Sequence, residues 1–308
     1  MHLKITSSPH LSSKINTSYI MLQVMVGLLP ATVWAVYLFG QRAIFLIVNC
    51  ILSAVISEVL ILWLRKKPIV IGDCSAILSG LLLALILPPS TKWYAASLGS
   101  IFAILVGKHI FGGLGSNIFN PALIGRAFLM AAYPKMLTTF IAPNSINALT
   151  AATPLALRKF SQAITLNKDL FFGNVAGSLG ETSSLLLIIG GLYILVVRIA
   201  DWRIPLSLLL TTAVISIIGF RFNPLNGDIF FHLLSGGLLM GAFFMATDPV
   251  TTPITKKGRY IFGVGCGIFI MLIRYFSGLP EGVMYSILFM NAFTPLINRY
   301  SAPKPFGG

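Results

Sequence analysis

The sequence predicts an all-α polytopic membrane protein with about ten transmembrane helices in two inverted five-helix repeats, and with both termini in the cytoplasm. Of its 308 residues, 56% are hydrophobic and only 10% are charged, and the mean hydropathy is +0.89. A soluble domain carries roughly 25% charged residues. Apolar runs of about 17 to 22 residues recur along the chain, each long enough to cross a hydrocarbon core of about 30 Å as a helix. Short basic groups separate these runs.

The predicted helices follow the apolar runs in order. They lie near residues 19–39, 43–64, 74–88, 95–112, 120–133, 184–200, 204–220, 229–246, 260–276 and 282–298. The first run follows a polar leader and has no small-residue cleavage site after it, which predicts an uncleaved helix. The cysteines are single residues in or beside apolar runs, so no metal site is predicted.

The ends of the runs divide the chain into five parts. These are a cytoplasmic N-terminal segment 1–18, a first membrane repeat 19–133, an extracytoplasmic loop 134–183, a second membrane repeat 184–298 and a cytoplasmic tail 299–308. Lys and Arg are retained on the cytoplasmic side of a membrane. With Lys4 and Lys14 inside, the helix count also places inside the basic groups Arg65 to Lys67, Arg198 with Arg203, Lys256 to Arg259, and Arg299 with Lys304. The net charge of +14 therefore indicates membrane orientation, and no nucleic-acid partner is predicted.

The two halves of the chain are similar to each other. Residues 112–128 align with 277–293, with Gly113, Leu114, Ala127 and Phe128 matching Gly278, Leu279, Ala292 and Phe293. Five helices in each half would insert the two repeats in opposite orientations, as in many transport proteins. Chance similarity between apolar helices is the alternative.

The long loop contains a stretch of small side chains in an otherwise bulky chain. Residues 147–155 read Asn-Ala-Leu-Thr-Ala-Ala-Thr-Pro-Leu. Small side chains leave space for a planar ligand or a modifying enzyme, and Pro154 favours an extended Thr153. An exposed threonine hydroxyl can form a phosphoester. From the residues alone, a polar surface turn is the simpler interpretation.

Thr150-Ala151-Ala152-Thr153 resembles the signature at which a flavin transferase attaches FMN in the RnfD/NqrB family, whose members belong to the Rnf complex and to the sodium-pumping NADH:quinone reductase. Further stretches resemble that family in the same order, at 112–122, 177–183, 243–249 and 280–283. The length is closer to the RnfD type, because the NqrB type carries a longer N-terminal extension. The chain departs from the signature at Asn147, where the family usually has an acid, and at Ala151, where glycine is frequent.

The resemblance implies a covalent FMN joined by a phosphoester to Thr153, with Thr150 and Ala152 in the attachment signature. The candidate neighbours of this FMN are Arg158, Gly177, Glu181 and Thr182. Glu181 is also suited to capping the sixth helix. Arg158 or Lys159 would neutralise a phosphodiester, which would explain basic residues in an extracytoplasmic loop, although both also suit a solvated surface.

Asn117 and Asn120 lie three residues apart at the predicted start of the fifth helix, followed by Pro121. Asparagine and proline are favoured at such positions, so helix capping is one interpretation. The resemblance implies a second, non-covalent riboflavin near this cytoplasmic end, whose ring edge these amides would bind. Asp248 is interpreted as a turn residue or as a polar wall of the same flavin site.

Ionisable residues inside apolar runs are costly and are candidates for function. Lys108, His109 and Arg274 lie near helix ends, where their charged groups are expected to reach the membrane surface. Glu58 and Arg126 have no such route and are candidates to pair with each other or to belong to an ion path. A purely structural role is the alternative for both residues.

The resemblance implies a translocase subunit that carries electrons in the bacterial inner membrane. Its complex would act on NADH and ferredoxin and move Na+ or H+, and its partners would be Rnf subunits A, B, C, E and G, the flavin transferase and membrane lipid. The FMN loop would lie on the extracytoplasmic side. The alternatives are a component of the NADH:quinone reductase, a solute transporter or channel that shares the inverted-repeat fold, and a scaffold whose flavin sites are vestigial.

Overall fold

The computed structural model describes residues 16–69, 71–141, 150–162, 165–222, 228–279 and 281–303, whose regular elements are helices and one pair of short strands. The prediction of an all-α fold is therefore confirmed for the described part of the chain. Several residues used in the sequence argument, namely Lys4, Lys14, Asn147, Pro280 and Lys304, lie outside the described residues.

The helices follow the predicted order, and the predicted loop contains short elements of its own. The first helices are α1 (Thr17–Phe39), α2 (Gln41–Leu64), α3 (Ser75–Ile86), α4 (Trp93–Phe102, continued by a π-helical turn Ala103–His109) and α5 (Pro121–Ala132). The loop contains α6 (Pro134–Leu137), β1 (Phe140–Ile141), β2 (Thr150–Ala151), α7 (Pro154–Ser161) and α8 (Asn167–Phe172). The remaining helices are α9 (Ser184–Val196), α10 (Arg203–Phe222), α11 (Ile229–Leu234), α12 (Leu238–Met240, continued by a π-helical turn Gly241–Met245), α13 (Lys256–Phe276) and α14 (Val283–Ser301). β1 and β2 pair antiparallel, with Phe140 opposite Ala151.

Within the described residues, α1, α2 and α13 are the helices long and apolar enough to cross a membrane, with 23, 24 and 21 residues. Large apolar side chains project from them, including Leu29, Phe45 and Ile261. A soluble protein rarely exposes apolar side chains over so much of its surface, because they gain by leaving water. These outward faces therefore indicate contact with lipid.

The prediction that every apolar run crosses the membrane as one continuous helix is wrong. α3 and α5 have 12 residues each and α9 has 13, which gives lengths of only about 18 to 20 Å. Prolines stop the first two, because Pro88 and Pro134 closely follow α3 and α5. Non-helical backbone at membrane depth is tolerated where protein surrounds it.

The end of α3 shows how that backbone is satisfied. The last carbonyls of a helix have no partner within the helix. The amides of Leu179 and Gly180 donate to the carbonyls of Leu87 and Leu85, at 3.1 and 2.7 Å. A Cβ at position 180 would lie 2.9 Å from the Cβ of Leu85, so glycine permits this approach. The segment before α9 thus supplies hydrogen-bond donors to the last carbonyls of α3, a helix from the other half of the chain.

The predicted helix 229–246 is also interrupted. α11 ends at Leu234, and Ser235, Gly236 and Gly237 separate it from α12. Gly236 has a φ of +66°, which residues with a Cβ rarely adopt. The two adjacent glycines therefore break this helix where the hydrophobicity pattern alone predicted continuity.

The helices pack in two groups that meet at close contacts. α2 packs against α3 and α4, whereas α10 packs against α13, which in turn packs against α14. α1 contacts α9 across the two halves, where Gly27 and Gly190 approach so closely that a Cβ at position 190 would overlap the carbonyl oxygen of Gly27. Small residues at such crossings are typical of helix packing in membranes.

Replacement of Gly190 by alanine should force α1 and α9 apart. Overpacking of a buried contact costs about 1 to 3 kcal/mol, so we expect a lower thermal unfolding temperature in detergent, followed by circular dichroism. Gly278→Ala is the matched control, because a Cβ there meets no atom within 4 Å. Equal unfolding temperatures for the two variants would contradict the close contact.

Candidate functional site

Thr153 lies at the start of α7 in an extended conformation, with φ −66° and ψ 153°. Its hydroxyl accepts a hydrogen bond from the amide of Ala156 at 3.3 Å, and Pro154 occupies the first helical position. The extended shape expected from Pro154 is confirmed, but the expected exposure of Thr153 is wrong, because the residue is only 4% exposed. Its neighbour Ala152 is exposed, and the backbone of Thr150 belongs to β2. Thr153 is thus a helix cap whose hydroxyl is turned inward.

The basic residues of α7 are engaged by protein groups. Arg158 lies over the ring of Phe231, 4.1 Å from its centroid, and 3.4 Å from a carboxylate oxygen of Asp228. Lys159 donates to carbonyls at the end of α13 and just beyond it, those of Ile273, Arg274, Ser277 and Leu279. Burial lowers the pKa of Lys159. A cation at the carbonyl end of a helix is favourable, so these contacts explain both charges without a phosphate.

Arg126 of α5 lies between two carboxylates from different parts of the chain. Its guanidinium is 3.2 Å from Glu181, just before α9, and 3.1 Å from Glu281, just before α14. The three side chains are 14%, 2% and 17% exposed. Charge-assisted hydrogen bonds of this kind are strong and directional. The cluster therefore joins three elements that are far apart in sequence.

This ion cluster lies against the break between α11 and α12. A Cβ at Gly237 would be 2.6 Å from a carboxylate oxygen of Glu181, and one at Gly236 would be 3.2 Å from Glu281. A Cβ at Gly236 would also lie 2.7 Å from the side chain of Leu155 in α7. The candidate segment around Thr153, the glycine break and the carboxylates are therefore neighbours. Gly177 and Thr182, predicted near FMN, are buried in the segment that supplies Glu181.

Two expectations about these charged residues need correction. Glu181 does not cap α9, because the residue before that helix is Ser183 and no side chain caps it; the carboxylate turns to Arg126 instead. Glu58 and Arg126 do not pair with each other, because each has nearer partners. Sequence reasoning missed Glu281 as a site residue, although its stretch 280–283 was among the family-like segments, since only the fold brings it to Arg126.

The residues predicted for a second flavin line one cavity. Asn117, Asn120 and Asp248 all contribute to its wall, together with Lys108 and Thr247. The cavity has a volume of about 60 Å³ and its wall is otherwise mostly apolar. A mainly apolar cleft with a few convergent polar groups is typical of a cofactor site.

The two asparagines that line this cavity form different hydrogen bonds. The side-chain oxygen of Asn120 accepts from the amides of Ala122 and Leu123 at 3.0 and 3.4 Å, which confirms the predicted helix cap. Asn117 donates to the carbonyl of Phe119 at 3.2 Å, but its own side-chain oxygen is buried without a hydrogen-bond partner. A buried acceptor without a donor is costly. Asn117 therefore presents an unused acceptor in the wall of the cavity.

Asp248 stands in the turn after the π-helical turn, half-buried at the mouth of the cavity. Burial raises the pKa of Asp248 to about 6, although the amide of Val250 and the hydroxyl of Thr251 oppose that rise. Its carboxylate bonds to both groups, at 3.3 and 3.4 Å. The turn interpretation is supported by these bonds, and the residue also forms part of the cavity wall.

The expectation that Lys108, His109 and Arg274 reach the membrane surface is wrong, since all three are buried. Lys108 lies 2.5 Å from a carboxylate oxygen of Glu58. Arg274 donates to the carbonyls of His232 and Ser235, at 2.6 and 3.0 Å, and so binds the free end of α11. Lys108 and Arg274 point into the protein because they have buried hydrogen-bond partners there.

The two candidate sites lie at opposite ends of α13. Arg259, in its first turn, pairs with Asp201 beside a groove that shares Ile199 and Thr247 with the cavity. Burial raises the pKa of Asp201, but the amide of Arg203 and the guanidinium of Arg259 outweigh this and lower it. Lys159 and the Thr153 segment lie at the other end of α13. With 21 residues, that helix is about 30 Å long, so Arg259 and the carbonyls that Lys159 contacts lie at its two ends.

Replacement of Arg126 by methionine should destabilise the fold strongly. It removes the cation that contacts Glu181, which is buried, and Glu281, which is half-buried, and removal of one partner of a buried ion pair costs about 3 to 5 kcal/mol. We expect a much lower unfolding temperature in detergent, whereas Arg299→Met, at an exposed position, should unfold like the unsubstituted chain. Adding Glu181→Gln and Glu281→Gln to Arg126→Met should recover part of the loss. A triple variant as unstable as Arg126→Met would contradict this electrostatic explanation.

Comparison with known proteins finds relatives over nearly the whole chain. The model of the NQR2, RnfD, RnfE family matches residues 4–307. The chain is 44% identical to the subunit designated D of the Na(+)-translocating ferredoxin:NAD(+) oxidoreductase complex of Acetobacterium woodii, over 100% of this chain and 96% of the relative. It is also 44% identical to the corresponding subunit of the proton-translocating ferredoxin:NAD(+) oxidoreductase complex of Clostridium ljungdahlii, over 98% and 96%. The corresponding subunit of the ion-translocating oxidoreductase complex of Stutzerimonas stutzeri is 41% identical over 94% and 91%. The resemblance inferred from short motifs is thus confirmed, and the chain belongs to the NQR2, RnfD, RnfE family.

Proposed function

We propose that this chain is the RnfD component of an ion-translocating ferredoxin:NAD+ oxidoreductase complex and carries electrons between flavins. The observation that carries the proposal is the 44% identity over essentially the full length of two such subunits. One of those relatives belongs to a complex named for Na+ translocation and the other to a complex named for proton translocation, and both are 44% identical to this chain. The transported ion is therefore proposed as Na+ or H+. Bound flavins supply reversible electron storage, and the protein positions and tunes them.

The proposed setting is the bacterial inner membrane, with two inverted repeats and cytoplasmic termini. Arg198, Asp201 and Arg259 lie around the groove next to the cavity, so basic residues gather at that end. Because Lys and Arg are retained in the cytoplasm, the cavity would face inward and the Thr153 segment outward. The other Rnf subunits, A, B, C, E and G, would bind at these two ends.

The start of α7 would suit a covalent FMN on Thr153 once that buried residue is exposed. The hydroxyl oxygen would become the ester oxygen, and the phosphate would lie at the amide end of α7, where free N–H groups favour an anion. To reach a flavin transferase, Thr153 must leave its bond to Ala156. Loss of a cap costs about 1 kcal/mol, and uncovering the buried Thr153 side chain adds to that cost. Arg158 and Lys159 retain their protein contacts in this arrangement.

The polar and apolar groups that line the cavity suit a second, non-covalent flavin such as riboflavin, and its walls must separate to admit the ring. Asn120 would hold the start of α5 and offer its side-chain amide, whose distance to the carbonyl of Met245 is a long 3.5 Å. Asn117 would supply its unused oxygen to a ring N–H. The apolar side chains of Leu82 and Phe244 would exclude water from the ring faces. Ion movement would be coupled to the electrons at buried charges, with Glu58 and Arg126 as candidates.

Substitution of Thr153 by alanine should abolish the covalent flavin. We expect the full-length chain, produced together with a flavin transferase, to show in-gel flavin fluorescence and the added mass of one FMN. Thr153→Ala should lack both signals, because no other hydroxyl occupies the attachment position. Thr138→Ala, at an exposed threonine outside the signature, should retain both. A bare Thr153 peptide in protein from native cells would refute covalent attachment.

Substitution of Asn120 by leucine should empty the cavity of flavin, because the amide is replaced by an apolar group. The measurement is the flavin released by denaturation, per mole of purified chain, in a Thr153→Ala background. Asn117→Leu should show a similar loss without removing the α5 cap, which separates binding from helix stability. Asn167→Leu, exposed at the start of α8, is the control. Full flavin content in both Asn117→Leu and Asn120→Leu would exclude this cavity as the binding site.

A further inference from the structure

Lys108 is a buried cation in the wall of the cavity. It belongs to the π-helical turn after α4, and its side chain is 3% exposed. The ammonium donates to a carboxylate oxygen of Glu58 and to the hydroxyl of Ser75, both at 2.5 Å. Asp73 lies farther away, at 3.9 Å. A buried ammonium with these contacts is held in one position.

The ammonium retains capacity for a ligand. A lysine ammonium has three protons, and two are donated to Glu58 and Ser75. Among the described residues, no third acceptor lies within hydrogen-bond distance of it. Lys108 and Ser75 both line the cavity, as does Asn117 with its unpartnered oxygen. The cavity thus offers a charged donor, the ammonium of Lys108, which matches the acceptors N1 and O2 on the pyrimidine edge of a flavin. It also offers a neutral acceptor, the side-chain oxygen of Asn117, which matches the N3–H of the same edge.

The ion pair of Lys108 and Glu58 has a fixed orientation relative to the cavity. It contacts Lys108 from α2 and is not among the residues that line the cavity, whereas Lys108 is. One of its oxygens also lies 3.8 Å from His109, and its other oxygen is buried without a partner. The positive end of the pair therefore faces the cavity and the negative end lies behind it. A ligand in the cavity would be closer to the cation than to the carboxylate.

We propose that Lys108 contacts the pyrimidine edge of the flavin bound in this cavity and raises its reduction potential, with Glu58 limiting that effect. The inference rests on the proposed function, since it requires the second flavin. A flavin bound there that took up two electrons from the preceding carrier and one proton at N5 would carry a negative charge on its N1–O2 edge. A fixed cation at that edge stabilises the added charge, and the low dielectric of a buried site strengthens the effect.

The test uses the full-length chain with Thr153→Ala, so that only the cavity flavin titrates. The midpoint potential is measured by spectroscopic titration with dithionite, and flavin content after denaturation. Lys108→Met should shift the potential to more negative values and reduce the flavin content, whereas Lys108→Arg should retain most of both. Glu58→Gln should shift the potential in the opposite direction, because the ammonium loses its counter-charge. A merely structural role for the pair would produce no such opposite shifts.

A second comparison covers the case in which Lys108→Met does not fold. The double variant Lys108→Met with Glu58→Gln buries no unpaired charge, and its potential should lie below that of Glu58→Gln alone. An unchanged potential in Lys108→Met, or equal potentials in that second comparison, would overturn the inference. A Thr153→Ala chain without bound flavin would instead contradict the proposed second flavin. If flavin is bound but its midpoint potential does not respond to substitution of Lys108, only this inference is contradicted.

Discussion

The contact of Arg126 with Glu181 and Glu281 holds the halves of this protein in register. Buried charges are expensive unless they are paired, so the three side chains can be buried only together. Their pairing fixes α5 against the segments that precede α9 and α14. Those segments in turn pack on the glycines between α11 and α12, and Leu155 of α7 rests on the same glycines. The position of the Thr153 segment thus depends on an ion cluster in the membrane region.

A second buried pair, Lys108 with Glu58, has a similar relation to the other candidate site, because Lys108 lines the cavity. Each pair is adjacent to a place where a helix is interrupted or altered, at the glycine break in one case and at a π-helical turn in the other. Irregular helices are frequent at functional sites, because they free backbone groups and re-aim side chains. Arg126 follows Asn120 of the cavity wall by six residues along α5, a rise of about 9 Å, so the ion cluster lies close to the cavity within the fold.

Much of this arrangement follows from local sequence. The apolar runs predicted the helices, and Asn120 with Pro121 predicted the start of α5, because capping depends only on neighbouring residues. The motifs also predicted the family, since residues 4–307 match its model. Sequence reasoning failed at Lys108 and Arg274, which were expected at the membrane surface. Whether a long cation turns outward or inward depends on partners such as Glu58 and the carbonyl of His232, which lie 50 and 42 residues away.

The sequence by itself determined that the chain lies in a membrane, where its helices begin, and which family it belongs to. These properties depend on composition, on residues adjacent in the chain and on similarity to relatives. Only the tertiary structure decided that Thr153 is a buried cap, that Asn117, Asn120 and Asp248 share a cavity, and that Glu281 joins Arg126. Contacts between distant residues arise from packing of whole helices, and a one-dimensional pattern does not specify which side chains that packing brings together.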